Sequence, residues 1–189
     1  MIGAVLAGGA GRRLGGDKAL ATVAGRPLIA RPLEVLGAVC DRVVVVSKPW
    51  TALGELPAAV DRWHEPGEPR HPLTGIVHAL EEAGGPVMVC AADMPFVTAG
   101  ACRALVAGAA ARPEAAAAIA FTDGRTEPLL GVYRPEGLAV LRAAPEDAPL
   151  TLTVEQLAPV RVPLPPGVAR SVNTPEQLRS AEAELLRSG

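Results

Sequence analysis

An α/β fold on a mainly parallel central sheet is predicted by three observations. Short apolar runs at 1–7, 42–47 and 86–92 lack polar alternation, the pattern of strands buried on both faces. Each run empties into a stretch rich in glycine, proline or charge. Segments of helical period separate the runs, and strands alternating with helices build parallel sheets through right-handed crossovers.

A chain of 189 residues favours one domain and can bury a full core. The expected architecture is a single-domain, Rossmann-like three-layer sandwich spanning 1–189. Hydrophobic residues make up 49% but aromatics only 3%, so that core is built from Ala, Val and Leu. A net charge of −2 argues against a nucleic-acid or membrane surface as partner. Cys40, Cys90 and Cys102 have no C-x-x-C or metal spacing, and Cys90 reads as a buried strand thiol. A reduced, cytoplasmic chain is expected, with no signal peptide and no apolar stretch of membrane-spanning length. Of the 18 basic residues only Lys18 and Lys48 are lysine. A composition that avoids lysine yet keeps Lys18 in a glycine loop gives that residue a chemical role.

The first strand, 1–7, breaks into Gly8-Gly9-Ala10-Gly11, then Arg12-Arg13-Leu14 and Gly15-Gly16-Asp17-Lys18. Bare backbone N–H groups behind a strand can approach an anion, and Arg12, Arg13 and Lys18 add charge for a polyphosphate. A glycine-rich surface turn with solvated arginines is the competing interpretation. The G-x-x-x-x-G-K-[ST] pattern fails, since Asp17 separates Gly16 from Lys18 and Ala19 follows. G-x-G-x-x-G fails as well, because Leu14 stands where the third glycine belongs.

Pro27 can open a helix to about Ala38, with Leu28, Ile29, Leu33 and Leu36 on one face. The strand at 42–47 has no acidic residue closely behind it, which removes the ribose-binding acid of a dinucleotide fold. A weaker strand at 58–63 leads into His64-Glu65-Pro66-Gly67-Glu68-Pro69-Arg70-His71-Pro72, a proline- and charge-rich loop for which a functional role and a plain surface excursion are equal alternatives. A helix follows from Leu73 to about Ala83. The strand at 86–92 ends in Asp93-Met94-Pro95, where a carboxylate projects into the crevice in which α/β sheets bind ligands, with a cap or turn former as the competing interpretation.

Thr98 caps an alanine-rich helix to Ala111. A strand from about Ala118 turns at Asp123-Gly124 into a partner over Glu127–Tyr133. Helices over 135–142 and 150–157 precede a closing strand at 160–164. Thr174, Pro175 and Gln177 make a capping box for the terminal helix, leaving Asn173 unexplained by the cap.

The run Leu6-Ala7-Gly8-Gly9-Ala10-Gly11-Arg12-Arg13-Leu14-Gly15-Gly16-Asp17-Lys18-Ala19-Leu20 resembles LAGGxxxRMGxDKxL, the signature of the molybdenum cofactor guanylyltransferase family. Leu14 replaces the usual methionine. The resemblance implies nucleotide contacts from Leu6, Ala7, Gly8, Gly9 and Lys18, and Mg²⁺ held by Asp93, which also contacts the nucleotide. The family's G-P-L-x-G is preceded by a nucleotide-holding aspartate. Here it reads His71-Pro72-Leu73-Thr74-Gly75, and Glu65 is taken as the acid, with Asp61 and His64 as rivals. Pro128-Leu129 and Tyr133 resemble residues lining the second substrate's pocket, though core packing of Tyr133 is an equal alternative. Asn173 resembles the second asparagine of N-x-N-T-P near the metal, with Ser171 in place of the first.

The family implies transfer of GMP from GTP to molybdenum-molybdopterin with release of pyrophosphate, and molybdoenzyme-maturation proteins as further partners. Lys18, Asp93, Arg12 and Arg13 form the expected catalytic set. Gly8, rather than alanine, suggests guanine over cytosine, since a missing Cβ lets a purine lie against the loop. A cytidylyltransferase, a guanylyltransferase for another phosphorylated metabolite and a non-catalytic nucleotide-binding domain stay open as alternatives. A dehydrogenase is the weakest, given the failed fingerprint.

Overall fold

The computed structural model describes residues 1–8 and 18–188. Gly9, Arg12 and Arg13 therefore lie outside the described residues. The chain opens with β1 (Ile2–Leu6), a two-stranded ribbon of β2 (Thr22–Val23) and β3 (Arg26–Pro27), and α1 (Ala30–Gly37). It continues through β4 (Arg42–Ser47), β5 (Val60–His64), α2 (Pro72–Ala83), β6 (Val87–Ala91) and α3 (Ala99–Ala111). Then come β7 (Ala117–Thr122), β8 (Arg125–Tyr133), α4 (Leu138–Ala143), α5 (Leu150–Glu155), β9 (Val160–Pro163) and α6 (Pro175–Ser188).

Seven strands form one sheet in the order β5-β4-β1-β6-β8-β7-β9. Every pairing is parallel except those of β8 with β6 and β7. That exception follows from Asp123-Gly124, whose φ angles of 53° and 74° make a tight hairpin and return the chain antiparallel. The apolar strands feed both faces of the sheet. Val5, Val43, Val45, Met88 and Cys90 pack with Leu33, Leu36 and Leu105 of α1 and α3. Ala4, Val44, Val46, Val87 and Val89 pack with Ile76 and Leu80 of α2 and Leu141 of α4. A strand that buries both its odd and its even residues cannot alternate with polar ones, which is why the runs read as uniformly apolar.

One expectation is corrected. Pro27 does not open a helix; Ala24 and Gly25, at φ 47° and 75°, fold the chain into the β2–β3 ribbon, where Pro27 pairs with Thr22. Helix α1 starts at Ala30. The ribbon packs against α6 through Val23, Leu28, Val172 and Ala181.

The topology creates a switch point. The chain moves outward from β1 to β4 and β5, then returns to lay β6 on the other side of β1. The strand order reverses at β1, and ligands of open α/β sheets bind outside the carboxyl ends of the strands at such a point.

Candidate active site

Four strand ends meet at the crevice, and hydrogen bonds continue the ladder past each strand to hold them in register. Ala7 N donates to Val46 O (2.8 Å), Ala92 N to Leu6 O (3.0 Å) and Glu65 N to Ser47 O (3.1 Å). Between them lies a cleft of about 760 Å³, within the size range of small-molecule sites. Two charged clusters occupy it.

The first cluster surrounds Asp93. Its carboxylate follows β6, and Lys18 donates from Nζ to Oδ2. The same ammonium donates to Asn173 Oδ1 at 2.5 Å. Asn173 is brought there by two devices. Val172 N donates to Asp93 O (2.9 Å), and the Thr174/Gln177 capping box of α6 closes with Gln177 Oε1 also accepting from Asn173 N (2.7 Å). Lys18 and Asp93 remain 17% and 15% exposed, open to a ligand. Asp93 Oδ1 is buried and has no hydrogen-bond partner among the described residues. A buried carboxylate oxygen in that state costs free energy unless a donor or cation reaches it. No group of three or more His, Cys, Asp or Glu residues forms a metal cage among the described residues. Magnesium at a phosphate site takes one or two carboxylates and completes its shell with phosphate oxygens and water. Asp93 fits that requirement.

The second cluster surrounds Glu65, which is only 4% exposed, beside Lys48 at 3%. Lys48 Nζ stands 3.6 Å from Glu65 Oε2 and donates to Pro66 O (2.5 Å) and Pro69 O (3.1 Å). Burial pushes the Glu65 carboxyl above its ordinary value, outweighing the opposing pull of Lys48. Two glycines make room for it. A Cβ on Gly8 would collide with Glu65 Oε1, and one on Gly75 would lie 3.2 Å from Oε2. The space that a Gly8 side chain would fill thus borders the Glu65 carboxylate. His71 caps α2 by accepting from Leu73 N at Nδ1 (3.3 Å), which explains a histidine where glycine was expected.

The structure brings Leu6, Ala7, Gly8, Lys18, Glu65 and Asp93 to this one cleft. Of the rivals to Glu65, Asp61 is exposed and pairs with Arg42 (2.6 Å), while His64 is exposed on β5. Tyr133 takes the core alternative: it is fully buried, its hydroxyl donates to Pro128 O (2.6 Å), and Leu129 faces the cleft instead. Sequence reasoning missed Lys48 and Trp50. Trp50 is 60% exposed at the cleft, with the Arg70 guanidinium 5.6 Å from its ring centroid. The lysine scarcity that singled out Lys18 applied equally to Lys48.

Residues 3–160 match the MobA-like NTP transferase domain. The chain belongs to that family. It is 35% identical to the molybdenum cofactor guanylyltransferase of Cereibacter sphaeroides, over 99% of this chain and 97% of that protein. The crystal structure of molybdopterin-guanine dinucleotide biosynthesis protein A from Archaeoglobus fulgidus superposes with a TM-score of 0.79 at 26% identity, covering 99% of this chain and 100% of that one. The 2-C-methyl-D-erythritol 4-phosphate cytidylyltransferase of Thermus thermophilus, 21% identical over 97% of this chain and 98% of that one, shares the fold at a TM-score of 0.66. As a MobA-like NTP transferase the chain is a nucleotidyltransferase enzyme, and its sheet is the mainly parallel Rossmann-like sheet expected from sequence.

Proposed function

We propose that this protein transfers GMP from GTP to the phosphate of molybdenum-molybdopterin, forming the guanine dinucleotide form of the cofactor. The observation that carries the chemistry is the Lys18–Asp93–Asn173 cluster at the topological switch point, with one carboxylate oxygen buried and unpartnered among the described residues. The acceptor is carried by kinship with the guanylyltransferase of Cereibacter sphaeroides.

An oxygen of the acceptor phosphate attacks the α-phosphorus of GTP. The bond from that phosphorus to the oxygen bridging to the β-phosphate breaks, and pyrophosphate leaves. Lys18 places a compact positive charge where negative charge builds on the phosphates. Asp93 orients Lys18 through Oδ2 and would hold Mg²⁺ through Oδ1. The ion supplies charge neutralisation across the phosphates when bound. Arg12 and Arg13 add further positive charge, and the backbone of Leu6, Ala7, Gly8 and Gly9 borders the nucleotide. Glu65 accepts from the donors of the guanine edge. The working unit is the whole chain, 1–189, as one domain in the cytoplasm, served by GTP, the molybdenum-molybdopterin acceptor and molybdoenzyme-maturation proteins. No helix among the described residues is long and apolar enough to cross a membrane.

The test is pyrophosphate release with each of the four nucleoside triphosphates, with and without molybdenum-molybdopterin, in Mg²⁺. Release with GTP that depends on the acceptor is expected. A preference for CTP would overturn the guanylyl assignment, and nucleotide binding without turnover would overturn the reaction.

A further inference from the structure

Lys48 is one of two lysines in the chain and is 3% exposed directly behind β4. A buried ammonium is tolerated only when its donors are used and its charge is paired. Here two donors go to Pro66 O and Pro69 O, and the charge faces Glu65 Oε2 at 3.6 Å. Both carbonyls belong to the loop that begins with Glu65, so a single group holds the carboxylate and the backbone that carries it. Arg62 braces Lys48 from the other side. Its guanidinium donates to Ser47 Oγ (2.9 Å), Lys48 O (3.0 Å) and Thr51 O (2.7 Å), fixing the main chain from which Lys48 reaches. Glu65 is further confined between Gly8 and Gly75, where no Cβ competes for its space.

We propose that Lys48 is a positioning residue for base selection: it pins the Glu65 carboxylate in the cleft so that the carboxylate accepts both the N1–H and the 2-amino group of guanine. The proposal rests on the guanylyl assignment above. Adenine has no donor at N1 and no 2-amino group, and hypoxanthine lacks the 2-amino group alone. A fixed carboxylate therefore ranks GTP over ITP over ATP, because a buried acceptor left without its donor is costly. Lys48 shares no hydrogen bond with Lys18, Asp93 or Asn173 among the described residues, so its effect belongs to binding of the base rather than to transfer.

The experiment compares kcat and KM for GTP, ITP and ATP in wild type, Lys48→Met, Lys48→Arg, Glu65→Gln and the Lys48→Met/Glu65→Gln pair. In Lys48→Met the KM for GTP should rise on the order of 10- to 100-fold, the loss expected for charge-assisted hydrogen bonds. The KM for ITP should rise less, so the GTP-to-ITP preference narrows, and the change should fall on KM far more than on kcat. The double variant should discriminate no worse than Glu65→Gln alone. Lys48→Arg keeps the charge and should retain part of the preference; it decides the question if Lys48→Met fails to fold. A Lys48→Met or Lys48→Arg protein with the wild-type GTP-to-ITP ratio would overturn the proposal, as would equal losses of kcat on every nucleotide. If wild type itself showed no preference for GTP, the guanylyl assignment would fail first, and that result is distinct from a selective wild type with selective Lys48 variants.

Discussion

The two charged clusters of the cleft differ in one respect that explains the rest. Lys18 and Asp93 remain 17% and 15% exposed, and Asp93 keeps an unpartnered oxygen among the described residues. Lys48 and Glu65 are 3% and 4% exposed, and the donors of Lys48 are engaged by backbone carbonyls of the loop after Glu65. The first cluster is built to be completed by a ligand, as a group that must meet developing charge requires. The second is set before any ligand arrives, as a group that must discriminate requires, because a carboxylate free to relax would accept any base. On the proposed function, reaction and selection fall to opposite kinds of electrostatics a few residues from the same strand ends.

The largest effect should come from breaking the open cluster. Asp93→Ala should lower kcat by at least about 10³-fold, since several kcal/mol of charge stabilisation at the phosphates depend on it. Thermal unfolding should change little, because a strand-end carboxylate contributes little to the core, and calorimetry beside steady-state kinetics checks both halves. A smaller effect is expected at the closed cluster. Gly8→Ala would place a methyl against Glu65 Oε1, displacing the carboxylate or the loop. GTP use should fall more than CTP use, on the order of tenfold in relative kcat/KM.

The legibility of these clusters in sequence follows the same division. The meeting of Asp93 and Lys18 in the cleft was legible because one ends an apolar strand and the other ends a glycine-rich stretch. Asn173 was visible because the capping box explained its neighbours and left it over. Lys48 carried the same scarcity signal as Lys18 but no local motif, because its partners are Glu65 and backbone carbonyls of another loop. Because β8 runs antiparallel to β6, Tyr133 lies opposite Val87 at the amino end of β6, away from the cleft, and a motif match carries no such register. Tyr133 takes the core side, and Leu129 the cleft. Pro27 misled for a comparable reason: proline suits a helix start, but the left-handed Ala24-Gly25 turn decided the local fold first.

The pH dependence sharpens the comparison further. Burial raises the Glu65 carboxyl above the ordinary value of 4.5. A folded-state pKa above the unfolded one favours the fold fully below about 4.5, and that contribution is lost as pH rises through the folded value. The melting temperature of wild type relative to Glu65→Gln should therefore fall as pH climbs from about 4 toward neutrality. Base reading runs the opposite way, since only the ionised carboxylate accepts from both guanine donors. The kcat/KM for GTP should fall on acidification at a higher pH than an ordinary glutamate would give, and the profile for CTP should be flatter. The smallest effect is expected at Thr174, whose hydroxyl accepts from Gln177 N at 3.2 Å. Thr174→Ala should cost about 1 kcal/mol of stability through the lost cap, with a modest rise in KM as Asn173 loosens. Chemical denaturation beside kinetics reads both.

The most direct test of the division between the clusters is nucleotide discrimination in Asp93→Ala beside Glu65→Gln. Pyrophosphate release is measured for GTP and ITP at matched acceptor. Asp93→Ala should lose turnover on both nucleotides by the same factor and keep the wild-type GTP-to-ITP ratio. Glu65→Gln should keep turnover at saturation within a few-fold and lose most of that ratio. Loss of the ratio in Asp93→Ala, or its survival in Glu65→Gln, would contradict the assignment of reaction to one cluster and selection to the other.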